Sequence, residues 1–231
     1  MRVFCRTAFV IGVAMLAPVV SIAGQQDADR AVAGGGITAP GWKGEVDAPS
    51  ASQGRSIKDS KFEQKGDTYH LAIGPAAVYW NPSNTASGDY TVKATFTEAK
   101  MTSGHPHPMG LFIGGSKLET PDQSLMYCTA YRDGTFIVRR FNGTNVTQVA
   151  RKAPNPAIKK ASSPDESVTQ EVAWVVKGGK AECQINGATV ASYDRAEIVG
   201  PGKLESTDGI YGIRVSHNMD LTVSNLKMTK N

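Results

Sequence analysis

The stretch Ser124–Thr144, SLMYCTAYRDGTFIVRRFNGT, decides the fold class of this chain. Two runs rich in Val, Ile, Thr, Tyr and Phe flank Asp133-Gly134, and Asn142-Gly143 follows the second run. Both dipeptides tolerate the positive φ angles that tight hairpin turns require. The stretch therefore predicts consecutive antiparallel strands that are joined by short turns.

The same pattern recurs along the chain, with Gly178-Gly179 and Asn186-Gly187 as further turn dipeptides between β-prone runs. No segment has a sustained helical period, and only TPDQSLM and YDRAEIVG are compatible with single helical turns. About a dozen short strands in one domain predict an all-β fold, a two-sheet antiparallel sandwich with less than about a tenth of its residues in helices. Additional strands are predicted at 57–63, 68–73, 89–98, 109–114, 210–217 and 220–229.

Alternation along two of these strands places both of the later cysteines towards the core. Cys128 shares a strand face with Met126, and Cys183 shares one with Ala181, whereas the opposite faces are more polar. A disulfide between them and two buried thiols are both compatible with the sequence.

The first 23 residues have the pattern of a secretory signal peptide. Two arginines precede an apolar run over 9–20, and small residues precede Gly24, where cleavage is expected. The apolar run is shorter than the ~20 residues of a membrane span, so no membrane insertion is expected. The protein is expected to be exported to the periplasm or the extracellular space.

The rest of the chain divides into a flexible linker, residues 24–41, and one domain, residues 42–231. The linker is predicted because residues 25–36 are small, polar and glycine-rich. The chain has 25 Lys and Arg against 21 Asp and Glu, and two of the arginines belong to the predicted signal peptide. Basic residues do not cluster with aromatics, so nucleic-acid binding is not expected. A monomer without cofactors is the expectation.

Several longer patterns carry a family resemblance. They are GDYTVKATFTEAK, GLFIGG, MYCTAYRDGTFIVRRFNGT, VAWVVKGGKAECQINGATVASYD and DGIYGIRVSHNMDLTVSNLKM, in that order. They resemble successive strands of the concanavalin A-like jelly-roll sandwiches over about residues 42–231. Within that superfamily the chain is most similar to the domain of secreted bacterial proteins known as 3-keto-disaccharide hydrolase. The resemblance implies a jelly roll, but this superfamily includes lectins, glucanases and adhesion modules, so it does not determine function.

Retaining glucanases of this fold carry three acidic residues that alternate on one strand, as E-x-D-x-x-E or E-x-D-x-E. That spacing directs the carboxylates into the cleft from one face of the strand. The nearest approach here is Glu45-Val46-Asp47, which is followed by Ala-Pro-Ser instead of a third acid. The sequence therefore excludes this type of glucanase.

His105 and His107, in MTSGHPHPMG, are candidate metal ligands or ligand-contacting residues. Residues i and i+2 project to the same side of an extended chain, but a metal site needs three or four protein ligands. The others would have to come from distant residues such as His217, Asp122 or Asp220. Each histidine precedes a proline, which favours a stiff loop at the mouth of a cleft. We therefore expect a loop without bound metal, whose histidines are able to contact a ligand.

The strongest ligand-binding candidates are Tyr127, Tyr131 and Arg139, on the two strands around Asp133-Gly134. Aromatic rings stack on the apolar face of a pyranose, and guanidinium or phenol groups bind its hydroxyls. The alternative is ordinary cross-strand pairing on a solvated sheet.

Three further candidates are weaker. Tyr79 and Trp80 precede Asn-Pro and are interpreted as a ligand platform on a loop tip or as core anchors. Arg214 lies on the strand face opposite Ile213, where it either contacts a ligand or stabilises a turn. The other two tryptophans, Trp42 and Trp174, are predicted to lie in the core.

Three functions remain open at this point. The first is an exported carbohydrate-recognition module. The second, which the resemblance implies, is an enzyme that acts on 3-keto-disaccharides and needs a base and an acid; His105, His107, Asp122 and Arg139 are the candidates. The third is a structural or adhesive module that binds protein.

Overall fold

The computed structural model describes Met1 and residues 28–231. The predicted signal-peptide run and its cleavage site lie outside these residues. The described residues form fifteen strands and two short α-helices, α1 (Ala48–Ser52) and α2 (Arg195–Ile198). The strands are β1 (Gly36–Ile37), β2 (Lys43–Val46), β3 (Lys61–Lys65), β4 (Thr68–Ala72), β5 (Ala77–Ala86), β6 (Tyr90–Glu98), β7 (Pro108–Ser116), β8 (Ser124–Tyr131), β9 (Thr135–Asn142), β10 (Asn145–Pro154), β11 (Val168–Lys177), β12 (Lys180–Ile185), β13 (Ala188–Asp194), β14 (Gly209–Val215) and β15 (Asp220–Lys230).

The strands form two sheets. An eight-stranded sheet has the order β1-β3-β4-β15-β6-β11-β12-β13, and a seven-stranded sheet has the order β10-β9-β8-β7-β14-β5-β2. Every pairing of named strands is antiparallel except the short contact between β1 and β3. The predicted all-β two-sheet sandwich is confirmed.

Turn chemistry accounts for the hairpins. Gly134 and Gly143 have φ angles of 87° and 60°, which only glycine adopts easily, and they separate β8, β9 and β10. The strand predicted at 57–63 begins only at Lys61. The preceding residues Ile57–Asp59 form a 3₁₀ turn, because the Ser56 hydroxyl accepts a hydrogen bond from the backbone N–H of Lys58.

The main core lies between the sheets and contains Trp42 and Trp174, as predicted. A second apolar cluster covers the other face of the seven-stranded sheet, which we call the outer face. This outer cluster consists of Val78, Trp80, Phe112, Leu118, Leu125, Tyr127 and Phe141. The seven-stranded sheet is therefore covered by apolar side chains on both faces.

A disulfide between Cys128 and Cys183 connects the two sheets. Cys128 lies in β8 of the seven-stranded sheet and Cys183 in β12 of the eight-stranded sheet, and both side chains are fully buried. The alternative of two separate thiols, which the sequence left open, is thereby excluded.

The segment predicted as a flexible linker packs against the domain over its described part. The Arg30 side chain donates hydrogen bonds to the backbone oxygens of Ile73 (2.8 Å) and Met219 (2.7 Å). The backbone N–H of Arg30 donates to Asn218 Oδ1 at 2.9 Å. The predicted domain start at residue 42 is therefore wrong, because contacts with the domain begin by Ala28, whose carbonyl accepts from Asn218.

The interpretation of Tyr79 and Trp80 as a loop tip is also wrong. Both residues lie inside β5 and are almost completely buried, Tyr79 in the core and Trp80 in the outer cluster. Pro82 does not end the strand because it lies in an irregularity. Trp80 pairs with Gly212, but the next paired residue of β5 is Thr85.

Within the described residues, no helix has the length and apolar character that crossing a membrane would require.

Candidate functional site

A cavity of about 300 Å³ opens at one end of the outer face of the seven-stranded sheet. We call it the sheet-end cavity. It brings together seven of the residues that the sequence singled out and adds Lys152 of β10. Its lining is His105, Pro106, His107, Pro108, Tyr127, Tyr131, Ile137, Arg139, Lys152, Arg214, Ser216 and His217.

The β8–β9 hairpin positions the tyrosines and the arginine that were predicted. Tyr127 is paired directly with Arg139, and Tyr131 lies at the end of β8, paired with Pro108 of β7. Because alternate residues share a face, all three side chains reach the outer face. All three side chains line the sheet-end cavity.

Arg214 is held by an ion pair with Asp47. Two guanidinium nitrogens donate to the two carboxylate oxygens, at 2.5 and 2.6 Å. Burial disfavours the charged guanidinium, but the Asp47 carboxylate outweighs this effect and the pKa of Arg214 is raised. Arg214 therefore remains charged and is occupied by a protein partner, so it organises the cavity wall more than it offers donors to a ligand.

Tyr127 does not present a ring face to a sugar. Its side chain is 3% exposed, its ring meets Phe141 edge to face at 5.7 Å, and the Arg214 guanidinium carbon lies 5.0 Å from its ring centre. The prediction that a pyranose stacks on Tyr127 is wrong, because the ring is buried and the Arg214 guanidinium lies over it. The residue forms part of the cavity wall.

Tyr131 is half-buried and is covered on one side by Lys152. The Lys152 ammonium lies 4.1 Å from the ring centre and pairs with Asp133 at 2.8 Å. Burial raises the pKa of the Tyr131 hydroxyl, although nearby Arg139 opposes the rise. The hydroxyl is therefore protonated at neutral pH and is able to donate a hydrogen bond, and one ring face is closed unless Lys152 moves.

Arg139 differs from Arg214 in its partners. Among the described residues, its half-buried guanidinium has no hydrogen-bond or ion-pair partner. A second cavity of about 210 Å³ adjoins the first and shares Tyr127 and Arg139 with it. Arg139 therefore lies where the two cavities meet. Together they form a groove that extends along the outer face towards Thr144 and Val146.

Three histidines meet at the far end of the sheet-end cavity. One nitrogen of each of His105, His107 and His217 lies within 4.8 Å of the others. The ring centres of His107 and His217 are 4.1 Å apart, and those of His105 and His107 are 4.3 Å apart. Among the described residues, these three imidazoles form a group that is able to hold a metal ion.

Other predicted candidates do not reach this cavity. Asp122 is exposed in the loop before β8, outside both cavities of the groove, and Tyr79 and Trp80 are buried beneath the surface. No carboxylate belongs to the described lining of the sheet-end cavity. The pair of acids that glycosidases commonly use is thus not among these lining residues.

Sequence reasoning missed Asp29, Asp47 and Lys152. Asp29 lies in the segment predicted as a linker, and Asp47 belongs to the Glu-Val-Asp pattern that was considered only as a glucanase motif. Lys152 follows from the β9–β10 hairpin, because an antiparallel partner of β9 must bring its side chains beside the Asp133 turn. Of these three residues, only Lys152 could have been predicted from the sequence.

Comparison with known proteins shows the fold and no closer relationship. No protein-family model matches the chain, and no curated protein matches it. The carbohydrate-binding module CBM66 from Bacillus subtilis is similar with a TM-score of 0.54 and 9% identity, over 84% of this chain and 99% of that chain. An endo-β-1,3-glucanase from Pyrococcus furiosus is similar with a TM-score of 0.51 and 12% identity, over 83% of this chain and 88% of that chain.

A third similar structure is a Bacillus subtilis protein of unknown function with a galectin-like fold, with a TM-score of 0.52 and 15% identity. It covers 82% of this chain and 89% of its own. Together these similarities show that the chain has a jelly-roll fold. They do not identify the 3-keto-disaccharide hydrolase domain family.

Proposed function

We propose that this protein is an exported carbohydrate-binding module that binds a saccharide in the sheet-end cavity. The observation that carries the proposal is Arg139, a half-buried guanidinium that has no partner among the described residues and points to the junction of two cavities. A guanidinium offers five N–H donors in a fixed planar fork, which suits recognition of closely spaced acceptor oxygens. A polyhydroxylated ligand supplies the acceptors that this position lacks.

The surroundings of Arg139 suit a sugar ring. The Tyr131 hydroxyl and Ser216 add polar contacts, whereas Ile137 and the uncovered part of the Tyr131 ring add apolar surface. A pyranose carries both kinds of surface, with hydroxyls at its edge and C–H groups on its faces. The cavity therefore combines the two contacts that saccharide recognition requires.

The size of the groove favours a short saccharide. Its two cavities have volumes of about 300 and 210 Å³, so the larger one lies at the lower limit of typical small-molecule sites and the smaller one below it. Because they share Tyr127 and Arg139, a ligand that fills both would pass over Arg139. A mono- or disaccharide unit is the ligand that we expect, and export would place the module where polysaccharides are encountered.

Replacing Arg139 by alanine should weaken saccharide binding by about ten-fold or more, because a hydrogen bond from a charged donor contributes about 1.5–3 kcal/mol. Tyr131→Phe should cost several-fold through loss of the hydroxyl alone. A glycan array would identify the ligand, and calorimetric titration would measure each variant. The wild-type affinity should be micromolar to millimolar, as expected for a few contacts after the cost of association.

Arg151→Ala is the matched control, because Arg151 is an exposed arginine of β10 that does not line the groove. It should bind like the wild type. All titrations should contain a chelator, so that they report on sugar contacts alone. Equal affinity of Arg139→Ala and the wild type, with unchanged melting temperature, would refute a site at Arg139.

A second candidate function is cleavage of 3-keto-disaccharides or related oxidised sugars. The observation that favours it is the position of three imidazoles in the same cavity, since this chemistry needs a group that removes a proton next to a ketone. His105, His107 and Arg139 remain candidates for such roles, whereas Asp122 lies elsewhere. Incubation with a 3-keto-glucoside tests it, and activity that is lost in His107→Ala would support the enzyme.

A further inference from the structure

The three clustered histidines come from two segments that the sheet brings together. His107 immediately precedes β7, and His217 follows β14 by two residues. These strands are antiparallel neighbours, and the Ser216 N–H donates to the Pro108 oxygen at 3.0 Å beyond the last strand pair. The end of β14 and the start of β7 therefore place both rings at one end of these two strands.

His105 is added by a short stiff segment. It lies two residues before His107, and each of these histidines is followed by a proline. Proline fixes its own φ and restricts the preceding residue to extended geometry, so little entropy is lost when the two rings are held together. The burial of the three differs, with His107 buried, His217 intermediate and His105 exposed at the cavity mouth.

The orientation of His217 is determined by a carboxylate. Its Nδ1 lies 2.9 Å from Asp29 Oδ1, and the other oxygen of Asp29 accepts a hydrogen bond from the Ser50 hydroxyl at 2.6 Å. When Nδ1–H donates to Asp29, the lone pair of Nε2 points away from the carboxylate. A carboxylate behind a histidine is the usual arrangement behind a metal-bound imidazole, because it fixes the tautomer and increases the basicity of the ligand.

The local charges permit a cation. Arg214 is paired with Asp47, and Lys152 is paired with Asp133, so two of the three basic groups that line the cavity are compensated. Asp29 adds a negative charge next to His217. Among the described residues, a divalent ion would therefore meet the Asp29 carboxylate behind its ligands and the guanidinium of Arg139.

The distances are close to those of a bound site. At Zn–N distances of 2.0–2.1 Å, tetrahedral geometry puts two ligand nitrogens about 3.4 Å apart. The three nitrogens here lie within 4.8 Å of one another, so the widest pair has to approach by at most roughly 1.4 Å.

We propose that His105, His107 and His217 bind one divalent transition-metal ion, with Zn²⁺ as the first choice, and that its fourth coordination position faces the sheet-end cavity. Three neutral imidazoles and an open position are the ligand set of catalytic zinc sites, and imidazole is a preferred ligand of this class of metal. A water molecule or an oxygen of a cavity ligand completes the coordination. This replaces our sequence-based expectation of a loop without metal, because the structure brings His217, one of three possible distant ligands named from the sequence, next to the other two histidines.

The test is titration of Zn²⁺ into protein that carries no histidine tag, in a buffer that does not bind zinc. The wild type should bind one equivalent. His105→Ala, His107→Ala and His217→Ala should each weaken this binding by at least a hundred-fold, and Asp29→Asn by ten- to a hundred-fold because it acts through His217. Replacement of zinc by Co²⁺ should give the visible absorption of a four-coordinate site, and that band should disappear in His217→Ala.

His70→Ala is the matched control. His70 also contacts a carboxylate, that of Asp220 at 3.0 Å, but it lies on β4 in the other sheet. Its substitution should leave zinc binding unchanged, and unchanged circular dichroism of each metal-free variant would show that the fold persists. Absence of a saturable site in the wild type, or unchanged affinity in His217→Ala, would overturn the proposal. Neither result would affect the saccharide titrations, which are made with a chelator.

Discussion

Asp47→Ala is expected to lower the free energy of unfolding by about 3 kcal/mol, because it leaves the buried Arg214 guanidinium without its partner. The Arg214 side chain is 8% exposed and donates to both Asp47 oxygens. Burial already opposes its charge, and an arginine cannot escape by losing a proton. Asp47 precedes α1, but its side chain makes no capping hydrogen bond there. The measured loss should therefore report on the ion pair, and urea denaturation would measure it.

Two companion variants make this prediction specific. Asp47→Asn keeps one acceptor oxygen and should lose less than Asp47→Ala. Asp47→Ala combined with Arg214→Met removes both charges and fills the space with an apolar chain, so it should recover at least half of the loss. An unfolding free energy of Asp47→Ala within about 0.5 kcal/mol of the wild type would contradict the prediction, since that is the range of ordinary surface substitutions.

The parts of the fold that were predictable are those whose cause is local. The turns at Asp133-Gly134 and Asn142-Gly143 need glycine at positive φ, and the flanking runs alternate, so sequence alone identified β8, β9 and β10. Alternation within β8 also puts Tyr127 and Tyr131 on the same face of that strand. These inferences depend on residues that are close in sequence.

The predictions that failed concern residues whose positions depend on contacts with residues far away in sequence. Arg30 is held by Met219 and Asn218, which are 189 and 188 residues away in sequence, so no local pattern distinguishes its segment from a tether. The loop-tip alternative for Tyr79 and Trp80 failed because the Asn-Pro pair that follows them usually marks a turn, whereas here it lies in an irregular part of β5. Tertiary pairing outweighed the local signal in both cases.

The sequence predicted which residues belong to the candidate site, but it did not predict which of them contact one another. His217 was a possible partner of His105 and His107, but only the adjacency of β7 and β14 brings it to them. The Arg214 guanidinium over Tyr127 and the Lys152 ammonium over Tyr131 come from other strands, and they decide which ring faces a sugar is able to reach. The sequence can therefore predict which side chains lie on one face of a strand. Which cation covers which aromatic ring depends on the order of the strands in the sheet.

The double substitution Cys128→Ala/Cys183→Ala is expected to lower the free energy of unfolding by about 4 kcal/mol. The disulfide joins residues 55 apart in sequence, and closing a loop of that length in the unfolded chain accounts for a loss of this size in the chain-entropy model. For a domain of this length, 4 kcal/mol corresponds to a fall in melting temperature of roughly 8–16 °C.

Reduction separates the crosslink from the packing of the cysteine side chains. Both sulfurs are fully buried between the sheets, so the double alanine variant also loses their contacts. Wild-type protein that is unfolded and measured with a reductant keeps the two side chains and loses only the crosslink. Its unfolding free energy should therefore lie slightly above that of the double variant and well below that of the oxidised protein. Equal stability of the oxidised and reduced wild type would mean that the connection between β8 and β12 adds nothing to the packing of the sandwich.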